Sequence, residues 1–339
     1  MTSSASETAI VDEAGPRRAF ERRVGTDRSR SKRNWTIAAL VACAFLWPLA
    51  VDNTFLLAMG SLVALSTIGA VSLHLIVRTG HISFAHAGFM GVGAYVCVLL
   101  VMRLQMPFAV SLLAGAAASA TLALLIGPIV LRLAGKYFVL VTFLLGEIIR
   151  MVFVEWSSVT GGSNGIFGVP PPYPALTSPR IFYYFLLVIS VMCVGLCARI
   201  LTSEIGRAMD ATRESERLAQ CSGIPILRLK VVIFVFACAL AGIHGALLAH
   251  FLHYVDPTTF GMLDSLNLVV MNVIGGMNHL IGPIIGAIFL TVLPELLRGY
   301  VELQRVIFGI ILIIVMAALP GGIVELSGRI KRIMANRSP

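Results

Sequence analysis

Apolar residues fall along this chain in long blocks separated by short charged or glycine-rich breaks. Residues 35–51, 53–77, 82–102, 104–131, 181–198, 231–255, 265–294 and 306–324 contain no Asp, Glu, Lys or Arg. Each block reaches roughly the 17–25 residues that an α-helix needs to cross a bilayer. A further stretch, 137–156, has the same character apart from Glu147 and Arg150 near its middle. The block at 265–294 is too long for one span, since thirty residues of helix would measure about 45 Å against a hydrocarbon core of about 30 Å. Its centre, GGMNHLIGP, is a turn signal, so it reads as two short tilted spans. The pattern predicts an all-α integral membrane protein with about ten transmembrane helices, some of them short or broken.

Composition agrees: 58% of the residues are hydrophobic and 13% charged, where a soluble domain carries about 25% charged residues. Ten crossings with both termini cytoplasmic place 21 Lys and Arg inside and only Arg103, Arg180, Arg298 and Arg305 outside, with Arg150 within a span. Nine crossings would put the basic tail GRIKRIMANRSP outside. Residues 1–34 read as a disordered, basic cytoplasmic extension without the plan of a cleaved signal. Residues 35–326 read as the membrane domain, with an outer loop at 157–180 and an inner loop at 202–230, and 327–339 as a basic cytoplasmic tail. The net charge of +9 follows from this inside bias and calls for no nucleic acid.

No enzyme motif stands out. The chain has no GxxxxGK[ST], HExxH or GxSxG, so any ATP it uses is bound by another chain. Cys43, Cys97, Cys193, Cys197, Cys221 and Cys238 have no zinc spacing and read as reduced packing residues. His81, His86, His250 and His253 lack carboxylate or thiol neighbours in sequence, so no metal site is expected. Small residues recur at helix-packing spacing: Ala237, Ala241, Gly245 and Ala249, then Gly115 with Ser119, and Gly282 with Gly286.

Four polar segments interrupt this pattern. Glu147 and Arg150 lie three apart and can pair, whereas each alone at the membrane centre would cost about 2.5–3.5 kcal/mol. The spacing leaves open whether they hold the fold or line a solute path. RTGHISFAHAGFMGVGAY, residues 78–95, makes either a broken helix with Ser83 and His86 at membrane depth or a turn followed by a glycine-rich packing face. The outer loop, with Gly161, Gly162, Asn164 and Gly165 followed by PPPYP, is a shaped turn suited to docking or covering. In the inner loop, Asp210 with Arg213, Arg213 with Glu216, and Glu214 with Arg217 are i, i+3 pairs that favour a helix over 206–223, stopped by Gly223 and Pro225.

Taken in order, GHISFAHAGFMGVGAY, GEIIR followed by TGGSNGI, GRAMDATRESERLAQCSGI leading into LKVVIFVFACALAGIHGAL, and GPIIGAIFLTVLPELLR then LPGGI resemble the permease subunits of branched-chain amino-acid ABC importers, the LivM type. The likeness runs from about residue 50 to 325. It implies a bacterial inner-membrane, multi-pass permease without catalytic residues, forming half of a translocation pathway. The implied partners are a second related permease or another copy of this chain, two cytoplasmic ATPases that bind ATP and Mg, and a periplasmic solute-binding protein. It implies that Gly206, Arg207, Arg213, Glu214, Glu216 and Gly223 belong to the ATPase-coupling segment. His81 stands where the family pattern has Gln, Ala85 where it has Gly, and Asn278 and His279 enlarge the GGMNHLIGP turn. The solutes implied are branched-chain amino acids or similar small polar molecules. The alternative from another class is an ion-coupled secondary transporter that uses Glu147 and Arg150 as a proton-linked pair.

Overall fold

The computed structural model describes residues 44–48, 53–297, 306–307, 309–310, 313 and 322–324. The expected first span at 35–51, the last at 306–324 and both terminal tails lie wholly or mostly outside them. Residues 1–50 and 51–339 are separate compact units, and within the first the described residues 44–48 are helical.

The second unit contains the membrane helices α1 (Thr54–Arg78), α2 (His86–Leu104), α3 (Phe108–Val130) and α4 (Lys136–Glu155). A short α5 (Ser157–Thr160) follows, then α6 (Pro179–Thr202), α7 (Glu204–Glu214), α8 (Glu216–Cys221) and α9 (Ile226–Leu252). Last come α10 (Met262–Gly275) and α11 (Ile281–Leu296). Among the described residues six helices, α1–α4, α6 and α9, are long and apolar enough to cross a membrane. The 265–294 block does split: α10 and α11 flank the turn at 276–280, and their 14 and 16 residues correspond to about 21 and 24 Å.

The core forms where α9 packs against α1, α2 and α3. Lipid tails are as apolar as Leu, so helices associate through close backbone approach rather than through hydrophobic transfer. Gly93 of α2 meets the Gly242 backbone of α9, with no room for a Cβ on either side. One turn away Gly245 lies on the Met90 carbonyl, and Ser119 of α3 donates to the Phe89 carbonyl at 2.9 Å. The small-residue faces expected of α3 and α9 are therefore the contact faces. Gly286 against Met271 and Gly282 against Gly275 join α10 to α11 in the same way.

Residues 79–85 join α1 to α2 without helix. α1 ends at Arg78, yet His86, the first residue of α2, is level with Ser72, about 9 Å back along α1. The intervening segment runs back into the protein without helix, and the Phe84 N–H is satisfied by Thr142 Oγ1 at 3.2 Å. Non-helical backbone lies inside the bundle, where protein covers it, and Gly88, Gly91 and Gly93 then form a packing face.

Candidate functional site

One end of the bundle gathers Arg78, α7, α8, the first turns of α9 and the 276–280 turn. The sequence predicts one helix over 206–223, whereas the structure has two. Ser215 breaks them with extended backbone (φ −159°, ψ 110°) and caps α8, its Oγ accepting from Leu218 N at 3.4 Å. The break has a geometric reason. On one continuous helix Asp210 and Glu216 would point about 120° apart, but with Ser215 extended both carboxylates reach the bundle.

Their partners are not the expected i, i+3 arginines. Asp210 pairs with Arg78, whose other terminal nitrogen donates to the Asn278 carbonyl at 2.9 Å. Glu216 Oε1 accepts from Lys230 Nζ at 2.6 Å, and the Lys230 side chain is only 4% exposed. Lys230 also lies 3.4 Å from His81 Nε2. His81 Nδ1 faces the Thr79 carbonyl at 3.1 Å. A carbonyl can only accept, so Nδ1 carries the proton and Nε2 accepts from Lys230. Burial, then the Lys230 charge, push the His81 imidazole below its ordinary value of 6.5. Thus α8 is tied through one buried ammonium to the loop that precedes α2.

The opposite face of the segment is open. Arg207, Arg213, Glu214 and Arg217 are exposed, and Leu218 is 71% exposed. Glu204 pairs with Arg207 along α7. Gly206 is buried against the Leu201 carbonyl, which has no space for a Cβ, and this close approach folds α7 back on the end of α6. Gly223, at φ +81°, ends α8.

The polar residues expected within the membrane do not form one cluster. His86 Nε2 lies 2.7 Å from Ser72 Oγ, which donates to the Gly69 carbonyl at 2.7 Å, so His86 must be the donor to Ser72. Ser83 is fully buried and its hydroxyl has no partner among the described residues. Glu147 and Arg150 pair at 2.8 Å on α4, and their side chains remain 26% and 28% exposed. Asn272 gave no sequence signal beyond being polar in an apolar block. It donates to the Ala70 and Leu268 carbonyls at 2.9 Å and its Oδ1 lies 3.1 Å from His74 Nδ1, tying α10 to α1.

At the other end the outer loop is pinned rather than loose. Thr160 Oγ1 donates to the Phe153 carbonyl at 2.6 Å, and Arg103 donates to the Ser158 and Val159 carbonyls at 2.9 and 3.1 Å. Gly161, Gly162 and Gly165 have positive φ of 79°, 64° and 74°, and Asn164 lies exposed in the single turn between them. The chain then enters β1 (Ile166–Phe167), antiparallel to β2 (Tyr254–Val255), with Ile166 opposite Val255. Gly165 rests on the Val255 carbonyl, where a Cβ would collide. Burial alone would raise the Asp256 carboxyl, but hydrogen bonds from Thr258, Thr259 and Tyr254 hold it below the usual carboxylate range. This two-strand ribbon is absent from the sequence expectation, because two-residue strands leave no periodicity to detect.

Of the cysteines, Cys97, Cys193, Cys197 and Cys238 are buried and Cys221 is exposed, while Cys43 lies outside the described residues. Among the described residues no cluster of His, Cys, Asp or Glu could hold a metal ion.

Apolar spanning helices joined by close glycine contacts, with charge gathered at the ends, define a multi-pass membrane protein. The profile of the family described as branched-chain amino acid transport system, permease component, matches residues 55–316, and the chain belongs to that family of transport permeases. The high-affinity branched-chain amino acid transport system permease protein LivM of Salmonella typhimurium is 28% identical over 328 residues, 89% of this chain and 77% of that protein. LivH of Escherichia coli K12 is 25% identical over 290 residues, 78% of this chain and 92% of that protein. The ribose import permease RbsC of Bacillus subtilis is 29% identical over 182 residues, 49% and 53% of the two chains. No solved structure matches.

Proposed function

We propose that this chain is one permease subunit of an ATP-driven importer in a bacterial cytoplasmic membrane, carrying branched-chain amino acids or similar small polar solutes. It crosses the membrane ten times, with both termini and the Arg78 end in the cytoplasm. A second permease completes the pathway; LivM and LivH relatives of this chain favour a related but distinct subunit over a second copy. Two ATPases, holding ATP and Mg, grip α7 and α8, and a periplasmic binding protein docks on the opposite end, around Gly161, Gly162, Asn164 and Gly165.

The observation that carries this reading is the two-sided α7–α8 segment. Its inner side is fastened by Arg78–Asp210 and by Lys230–Glu216, and its outer side presents Arg207, Arg213, Glu214, Arg217 and Leu218. A connector serving only to join α6 to α9 needs no buried lysine. A push on α8 moves Glu216, hence Lys230, hence His81 and the segment leading to His86, where the bundle changes from outward to inward access. The test is uptake and partner recovery with the pair inverted. Lys230→Glu combined with Glu216→Lys keeps an ion pair but buries the carboxylate, and should leave the ATPases attached while uptake falls. Lys230→Met should give the same split between attachment and uptake. Full uptake by Lys230→Met contradicts transmission through this residue.

A further inference from the structure

The Glu147–Arg150 pair is built unlike an ion pair that holds a fold together. Such a pair joins two elements, but these two residues lie within one turn of α4, the twelfth and fifteenth of its twenty residues, so their bond fastens nothing to anything. Neither side chain is fully covered: at mid-helix both remain about a quarter exposed. Hydrocarbon is a poor neighbour for such charges, so protein or an aqueous path faces them.

The bond also leaves most of the pair's capacity unused. It engages Arg150 Nε and Glu147 Oε2 alone. Among the described residues nothing occupies the two terminal nitrogens of Arg150 or Oε1 of Glu147. The Arg150 stem passes beside Gly261, where an added Cβ would stand 3.8 Å from its Cδ. A fork of donors thus stands beside a free carboxylate oxygen on the open flank of α4. A planar guanidinium edge matches a carboxylate in two parallel hydrogen bonds, and a carboxylate oxygen accepts from an ammonium.

We infer that Glu147 and Arg150 form a subsite for the head group of a zwitterionic α-amino acid, Arg150 Nη1 and Nη2 receiving the α-carboxylate and Glu147 Oε1 the α-ammonium. The inference rests on the transport reading above and deepens it. The subsite separates amino acids from neutral solutes such as urea or amides, because each of its two halves needs a full opposite charge. Empty, the pair satisfies itself through Nε and Oε2; loaded, it keeps that bond and adds two hydrogen bonds from Arg150 and one to Glu147, so binding leaves no charge uncompensated.

The test is direct binding of radiolabelled L-leucine, L-alanine and L-glutamine to the purified full-length chain with its co-purifying subunits and without any binding protein. Competitors are 4-methylpentanoate, 3-methylbutylamine and urea. The expected result is saturable binding of at least one of the amino acids, poorly displaced by compounds bearing one charge or none. Glu147→Gln and Arg150→Gln should each weaken binding roughly ten- to hundredfold, the size expected when a hydrogen bond to a charged group is lost. Arg150→Lys, which keeps the charge and loses the fork, should fall between. Partner recovery should be unchanged throughout. No saturable binding, equal displacement by singly charged analogues, binding indifferent to these substitutions, or loss of the partner subunits on substitution each overturns the subsite. Wild-type chain recovered without an ATPase instead overturns the importer reading, and the binding assay on that chain still reads the subsite.

Discussion

The two ends of this bundle are fastened by different chemistry. At the Arg78 end, α7 and α8 hang on side-chain ion pairs to Arg78 and Lys230. At the Arg103 end, the ribbon of β1 and β2 is held by backbone hydrogen bonds and by glycines in the left-handed region. Ion pairs between long side chains can exchange partners with a small shift of a helix, whereas a backbone ladder and a glycine turn either hold or break. Under the proposed function the first end would serve as the lever that is pushed and the second as the platform that is docked upon.

The comparison breaks most sharply if the outer face of the lever is inverted. Arg213→Glu with Arg217→Glu and Leu218→Asp alters only exposed side chains, so the chain should still reach the membrane. Uptake should nonetheless be abolished and the ATPases lost on purification. Glu216→Ala should come next. It strands the buried Lys230 charge and should cost about 1–3 kcal/mol, less than the 3–5 kcal/mol of a fully buried pair because Glu216 is itself 46% exposed. Thermal unfolding in detergent reads the loss, and Lys230→Met with Glu216→Gln, which removes both charges, should recover most of it.

On the platform side, Gly165→Ala places a Cβ against the Val255 carbonyl at a φ of +74°. It should cost about 1–3 kcal/mol and loosen the ribbon, seen as faster amide exchange at Ile166 and Val255. ATPase attachment should not change, since the lever is untouched. The smallest effect is a pH response at His81. Its folded value lies below its ordinary 6.5, so the unfolded chain takes up its proton first as pH falls. The contribution of neutral His81 is therefore complete above that pH and declines below it. His81→Gln keeps an acceptor for Lys230 and should flatten this part of the stability profile against pH.

How much of this was legible in the sequence follows from which forces leave a periodic trace. The spans were readable because a bilayer imposes a length on apolar runs, and the split at GGMNHLIGP because two Gly and a Gly-Pro cannot continue a helix. The packing of Gly93, Gly242 and Gly245 was half legible: Gly245 belonged to an expected face, while the Gly93–Gly242 contact needed three dimensions. The inner segment was read as one helix because its charges repeat at i, i+3. Its true partners, Arg78 and Lys230, lie far from their carboxylates or across Gly223 and Pro225, where local spacing is silent. Ser215, a small polar residue inside a charge repeat, was the one local hint of the break. Ser83, His86, Glu147 and Arg150 were all marked as polar groups in apolar runs, but only the structure shows that the first two are fully enclosed and the last two partly exposed.

The most direct test of the α7–α8 lever is crosslinking in native membranes from a photoreactive residue placed at Leu218 and, for comparison, at Asn164. The lever reading predicts a Walker-motif ATPase joined to position 218 and none joined to position 164. ATP with vanadate should change the yield at 218, and Lys230→Met should leave the ATPase crosslink in place while uptake is lost. Crosslinks from Leu218 to lipid or to this chain alone, in membranes where uptake is active, contradict it.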